Sequence, residues 1–147
     1  MNIGLSVKDL HVNDIFFLEP VKNIIINNSN FIRIIYSNEL FTLNGIYLLC
    51  NIDLKNKCNN YGLLIYIQRL EYDILNKYSN NKIKNYKIRE YFNTNFLPSY
   101  RETQSLKESN DINKENYTLK ISGIWEANNI IGLTFKFLKL DSILSIR

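Results

Sequence analysis

Histidine is almost missing from this chain: His11 stands alone among 147 residues. Ser-His-Asp and Cys-His constellations need an imidazole as base, so nucleophilic catalysis of that kind would have to run through His11. That residue lies in a mixed segment and reads as a surface or hydrogen-bonded histidine. Cysteine is limited to Cys50 and Cys58. Without CxxC spacing and with one histidine for company they argue against a zinc site, and reduced thiols in an intracellular protein are the expectation. The five glycines are scattered singly, so no glycine-rich phosphate loop exists. The acidic residues are dispersed, and no DxD or ExK cluster sits on a strong strand to suggest a metal-dependent nuclease. No apolar run approaches the ~20 residues of a membrane helix. The opening MNIGLSVKDL lacks a basic region followed by an apolar run, so no signal peptide is expected. From these absences we expect no enzyme, no cofactor, no metal, no small-molecule substrate and no membrane partner. Alanine is equally scarce, with Ala127 the only one, while Asn and Ile abound. That skew resembles coding in an AT-rich genome, so Asn enrichment and the sequons at Asn27 and Asn116 carry no functional weight.

What is present is globular. At 46% hydrophobic and 22% charged, the chain can bury a core and is not a disordered one. Its length suits one domain, residues 1–147. A net charge of +4 and a pI near 9.0 permit nucleic-acid binding. Ten Tyr and eight Phe matter in that context, because an aromatic ring can pack in a core or stack on a base.

Read in order, Asp14 to Leu18 predicts a short strand ended by Glu19-Pro20, and residues 21–26 allow another. Phe31 to Tyr36 (FIRIIY) is strand-like through its β-branched and aromatic residues. Phe41 to Ile52 predicts a second long strand with Asn44-Gly45 inside it, either a type I′ turn or, as we prefer, a bulge that bends one strand and curls the sheet. Asp53 to Asn60 reads as a polar loop. Period 3.6 then takes over: Ile67, Leu70, Ile74 and Tyr78 share one face, which predicts a helix from about 64 to 78, with an Asp73–Lys77 ion pair. Residues 79–85 read as a basic polar turn and 86–92 as a short helix or strand. Residues 98–116 are polar and charge-mixed, a long loop.

The stretch from Tyr117 to Leu140 predicts two strands and a tight connection. With Ala127-Asn128-Asn129 as a three-residue loop, Ile121 faces Phe135, Leu119 faces Phe137 and Trp125 faces Ile131, all on one apolar side. The same register sets Lys120 opposite Lys136. Like charges directly opposite are destabilising. They are either two solvated lysines or a pair relieved by a bound phosphate. The whole predicts an α+β, mostly β fold: a curled antiparallel sheet or an OB-like five-stranded barrel with one main helix.

The segments FIRIIYSNELFTLNGIYL and LKISGIWEANNIIGLTFKF resemble those of small proteins of nucleocytoplasmic large DNA viruses. The closing pattern, a strand with Gly-Ile-Trp, a short turn and Gly-Leu-Thr-Phe-Lys-Phe, is similar to the end of OB-fold single-stranded-DNA-binding proteins of large DNA viruses and T7-type phages. The phage proteins end in an acidic tail and this chain ends DSILSIR, so recruitment of replication partners through a tail does not carry over. The resemblance implies a non-sequence-specific single-stranded-DNA-binding protein at a viral replication site in the host cytoplasm or in the virion. The residues point the same way through candidate basic groups Arg33, Lys120 and Lys136 and candidate stackers Tyr36, Tyr47 and Trp125. Against these, Tyr36 shares a face with Ile32 and Ile34, and Trp125 follows Leu119 and Ile121 in phase toward the core. The basic groups Lys82, Lys84, Lys87 and Arg89 add a charged run. The competing expectation is a virion structural or protein-interaction module, possibly a homo-oligomer, using the hairpin face or a sheet edge.

Overall fold

The computed structural model describes residues 4–24, 28–99 and 113–139. Its axis is β7, Lys114–Ala127, the longest strand. Along one side β7 pairs with β8 (Ile130–Lys139) over nearly its whole length. Its other side is shared. Its first half pairs with β5 (Ile46–Asp53) and its second half with β3 (Ser29–Ser37). The short strands β1 (Ile15–Phe17), β2 (Val21–Lys22) and β4 (Thr42–Leu43) add to β3, and β6 (Ile83–Asn85) adds to β8 in parallel. The result is a single curled, half-barrel sheet left open, in an α+β fold dominated by strands.

The split of β7 between two partners explains Asn44-Gly45. Gly45 has φ 110, in a region that glycine enters without a Cβ penalty. The backbone there kinks the chain from β3 across to β7. The expected bent strand is thus two strands on different partners, and the dipeptide is neither a type I′ turn nor a bulge within one ladder.

The hairpin departs from expectation in two places that cancel. Its loop is two residues, Asn128 and Asn129, both with positive φ (52 and 66), as a type I′ turn requires. A bulge at Ser122 then shifts the register between Ile121 and Gly123. Below the bulge the expected pairs stand: Ile121↔Phe135, Leu119↔Phe137 and Lys120↔Lys136. Above it Trp125 pairs with Gly132 rather than Ile131, and Ile124 takes the core position instead.

One face of the sheet is covered by helices. α1 (Tyr61–Tyr78) starts a turn earlier than expected and buries Leu64, Ile67, Leu70, Ile74 and Leu75, the stripe its apolar spacing dictates. They pack into one cluster with Ile32, Ile34, Ile46, Leu48, Leu119 and Ile121. Each such fully buried side chain contributes about 1.5–3 kcal/mol. Arg69, not Lys77, pairs with Asp73, at 3.1 Å. The Lys77 ammonium instead donates to the carbonyls of Val12 and Ile15, both at 2.8 Å, and so ties the helix C-terminus to the start of β1. The segment after α1 holds β6, and residues 87–96 resolve as a helix, α2 (Lys87–Phe96). Phe92 and Phe96 of α2 meet Phe137 and Tyr117 at ring separations of 5.3 to 6.3 Å.

Two buried polar side chains hold these pieces together. The Glu71 carboxylate, on α1, accepts the backbone N–H groups of Ile88 (2.9 Å) and Arg89 (3.1 Å). It thereby satisfies two of the unpaired donors at the start of α2, where no local side chain caps the helix. Asn60 accepts the Asp53 N–H (2.8 Å) and donates to the carbonyls of Asp53 (2.9 Å) and Phe96 (2.7 Å). One amide thus fastens the end of β5, the start of α1 and the end of α2. Asp53 itself accepts from the backbone of Lys55, Asn56 and Asn113 and from Asn59. Burial alone would raise its pKa, but these donors outweigh that and hold it below the usual value. Of the expected 98–116 loop, residues 100–112 lie outside the described residues, and β7 begins at Lys114. No described helix is long and apolar enough to cross a membrane.

Candidate nucleic-acid interface

The second face of the sheet points away from the helices. Strand alternation decides what it carries. On β3, Ile32, Ile34 and Tyr36 are fully buried, which leaves Phe31, Arg33 and Ile35 outward. On β5, Ile46, Leu48 and Cys50 face the core, so Tyr47, Leu49 and Asn51 face out. On β7, Lys120 pairs with Tyr47 and, beyond the bulge, Gly123 pairs with Arg33 and Trp125 with Phe31. On β8 the outward residues are Gly132, Thr134, Lys136 and Leu138. The structure therefore brings Arg33, Tyr47, Lys120, Trp125 and Lys136 onto one surface and adds Phe31.

Tyr36 does not join them. It is fully buried and its hydroxyl accepts the His11 N–H at 3.0 Å, with Asp9 O and Asp14 Oδ2 within 3.4 Å. Its ring stacks on Phe41, and burial pushes its phenol above the usual value. A ring held this way has no face to offer a base. The apolar positions Ile34 and Ile32, two and four residues before it, set its direction.

The outward rings are seated rather than loose. An added Cβ on Gly132 would meet Trp125 at 2.5 to 2.7 Å from Cζ2, Cε2 and Nε1. Three ring atoms at nearly equal distance mean that the indole lies across the glycine with its plane toward it. The edge of the Phe31 ring reaches over Gly123, with Cζ and Cε1 at 2.5 and 2.7 Å from such a Cβ, beside the Ile32 carbonyl oxygen. Both glycines leave room for a ring on the sheet surface. Cations accompany the rings. The Arg33 guanidinium lies 5.6 Å from the Phe31 centroid and donates to Asn44 Oδ1 at 3.0 Å. The Lys120 ammonium lies 5.7 Å from the Tyr47 centroid. Lys136 is exposed and makes no ion pair or hydrogen bond with the described residues.

Outward positions from Phe31 to Ser37, Tyr47 to Asn51, Lys114 to Trp125 and Gly132 to Leu138 hold no Asp or Glu. Glu126 has the opposite parity and pairs with Lys82. The other basic groups after α1 stand off this face. Lys84 donates to Asn80 O, Lys87 sits 3.7 Å from Glu90 and Arg89 lies over Tyr86. Among the described residues no group of three or more His, Cys, Asp or Glu converges.

Phe31 is not among the residues expected from sequence, although its alternation with Ile32, Ile34 and Tyr36 marks it as outward. Trp125 is a candidate stacker in the sequence, but its phase with Leu119 and Ile121 points to the core; the bulge at Ser122 reverses the parity of everything after it and turns the ring outward. The signal for both was Gly123 and Gly132, isolated glycines inside strand patterns, which mark bulges and close approach. Comparison with known proteins adds nothing to this geometry: no family model, no curated protein and no solved structure matches the chain.

Proposed function

We propose that the chain binds single-stranded nucleic acid, in the first instance single-stranded DNA, without sequence preference, on the outward face of the sheet. The observation that carries this reading is the composition of that face: Phe31, Tyr47 and Trp125 interleaved with Arg33, Lys120 and Lys136, and no acidic side chain among them. Single strands are held by basic grooves with aromatic platforms, each stacked base contributing about 1–3 kcal/mol. Tyr47 and the Phe31–Trp125 pair are about 13 Å apart, four ladder steps from Lys136 to Gly132 at ~3.3 Å each, so a strand lying along β7 meets rings at both ends with Lys120 and Lys136 beside it. The likeness of the closing hairpin to viral and phage single-strand-binding proteins supports the same reading. On it the protein would coat strands during replication, with no catalytic step.

Titration with fluorescent oligothymidine, following anisotropy and Trp125 emission together, tests it. Expected are saturable binding that weakens steeply with salt, little affinity for duplex, and quenching of the lone tryptophan. A flat anisotropy trace at low salt would remove the reading. A second reading, a self-associating or protein-interaction module, is favoured by one observation. Phe16, Leu18 and Val21 are about half exposed along β1 and β2. It predicts a mass that rises with protein concentration and no oligonucleotide binding.

A further inference from the structure

Beside the platform lies a cleft that the outward face does not use. β6 stops where Asn85 pairs with Gly132, and the chain turns at Tyr86 into α2. Beyond Gly132 no described strand covers that side of β8. α2 passes along it and leaves an open cleft of about 560 Å³, whose walls include Glu90, Tyr91, Thr94 and Asn95 from the helix and Trp125 and Phe135 from the sheet. That volume lies within the range of small-ligand sites. Trp125 borders both features. Its indole lies across Gly132 on the outward face and also forms one wall of the cleft, so the two are continuous.

The walls carry one kind of chemistry. Trp125, Tyr91 and Phe135 offer flat apolar surface. Glu90 and Thr94 stand four residues apart on α2, as do Tyr91 and Asn95, which places both polar pairs along the same helix face. Asn95 Nδ2 donates back to Tyr91 O at 2.9 Å, which leaves its Oδ1 as an acceptor. The Thr94 hydroxyl makes no hydrogen bond with the described residues. The Glu90 carboxylate is only loosely met by Lys87, at 3.7 Å. The Ile83 N–H bonds Asn129 O at 3.0 Å. The alternation of a strand's backbone groups then turns the N–H and C=O of Phe135 to the same side of β8. A planar ligand with an apolar face and a rim of both donors and acceptors satisfies all of these groups, and a nucleobase is such a ligand.

We infer that the cleft between α2 and the edge of β8 receives one nucleobase, turned over the strand edge past Trp125 from a single strand lying on the outward face. The inference rests on the proposed single-strand reading and adds a modest base preference at one position to an otherwise sequence-tolerant surface. Glu90, Thr94 and Asn95 would read the base edge, and Lys87 at the mouth of the cleft would meet its phosphate.

Two titrations of the full chain separate the inference from the reading beneath it. In the first, each nucleoside 5′-monophosphate is titrated while Trp125 emission is followed. In the second, oligonucleotides of each single base are bound by anisotropy to the wild type and to Thr94→Ala, Asn95→Ala and Glu90→Gln variants, whose melting temperatures are measured alongside. Expected are saturable quenching by monophosphates with one base favoured, and a preference among oligonucleotides that the variants flatten by about three- to tenfold at unchanged melting temperature. Oligonucleotides that bind while the variants leave every preference unchanged would overturn the cleft and leave the coating role standing. Monophosphates that quench while no oligonucleotide binds would overturn the coating role and leave a nucleotide site. Neither binding would overturn both.

Discussion

Lys136→Gln should make the protein more stable and a worse binder. Lys136 sits directly across the ladder from Lys120, on a face with no carboxylate nearby. Nothing among the described residues pairs with it. Removing one of two like charges in that position relieves roughly 0.2–1 kcal/mol, which for a chain of this size raises the melting temperature by up to about 4 °C. Binding should move the other way. One phosphate contact to a single strand contributes about 0.7 to the slope of log K against log salt. Over the tenfold range from 1 M to 0.1 M salt that is about 0.7 of a decade, or about fivefold in affinity. The assay pairs a thermal melt with oligothymidine anisotropy at four or more salt concentrations. A variant that melts higher but keeps the wild-type slope would return Lys136 to an ordinary solvated lysine. One that melts lower would refute the electrostatic argument itself. Lys120→Gln is the less clean experiment, because it also removes the contact with the Tyr47 ring, worth about 0.5–1 kcal/mol in its own right.

Gly132→Ala tests the seat of Trp125: the new Cβ would fall where the indole now lies, so Trp125 emission should shift and oligonucleotide affinity should drop severalfold. An unchanged spectrum would mean that the ring is not held there. Asn60→Ala leaves the Asp53 N–H and the carbonyls of Asp53 and Phe96 without their partner. At about 1–3 kcal/mol for each buried group left unmade, partly offset by water, a loss of about 3–5 kcal/mol is expected in urea unfolding. Burial holds the Glu71 carboxyl above its ordinary pKa, against the lowering effect of the Ile88 and Arg89 N–H groups. A raised carboxyl favours the folded state most while it is protonated in both states, and that advantage is lost as pH rises from the unfolded pKa of about 4.3 through the higher folded one. Glu71→Gln should therefore flatten this part of the stability–pH curve, and an unaltered curve would show that Glu71 does not cause it.

Helical periodicity and strand alternation made much of this fold legible, because both are properties of neighbours in sequence. Ile67, Leu70 and Ile74 announced α1, and Leu119, Ile121, Phe135 and Phe137 announced the hairpin and its pairing below the bulge. What was hidden depends on distant partners. No local pattern in Phe41 to Ile52 says that β4 stays with β3 while β5 crosses to β7. Nor does the basic run after α1 reveal that three of its residues, Ile83 to Asn85, add in parallel to β8. Glu71 and Asn60 read as an ordinary helix residue and an ordinary loop residue until α2 folds back onto them.

The candidate site sits between these two cases, because a sheet surface is known from sequence only up to parity. Alternation says that Phe31, Arg33 and Ile35 share a side. It does not say which side, and one inserted residue exchanges the two. For β3 the buried trio Ile32, Ile34 and Tyr36 settles the matter and removes Tyr36 from the surface. For β7 the bulge at Ser122 inverts the parity midway, so Lys120 and Trp125, five positions apart, end on the same side. Without the bulge, Trp125 would point at the core with Ile121. The position that would be outward in its place, Ile124, carries no aromatic ring, and Phe31 would face no indole across the ladder. Ser122 is the extra residue of the bulge, so neither deleting nor substituting it turns the face over. Deletion leaves Ile121 opposite Phe135 and Gly123 opposite Thr134 in a regular ladder with Trp125 still outward, and Ser122→Ala removes one hydrogen bond to Thr134 O. If the surface is the binding site, both variants retain binding while Trp125→Ala on the same face weakens it severalfold; equal binding by all three would mean that the ligand does not touch this face.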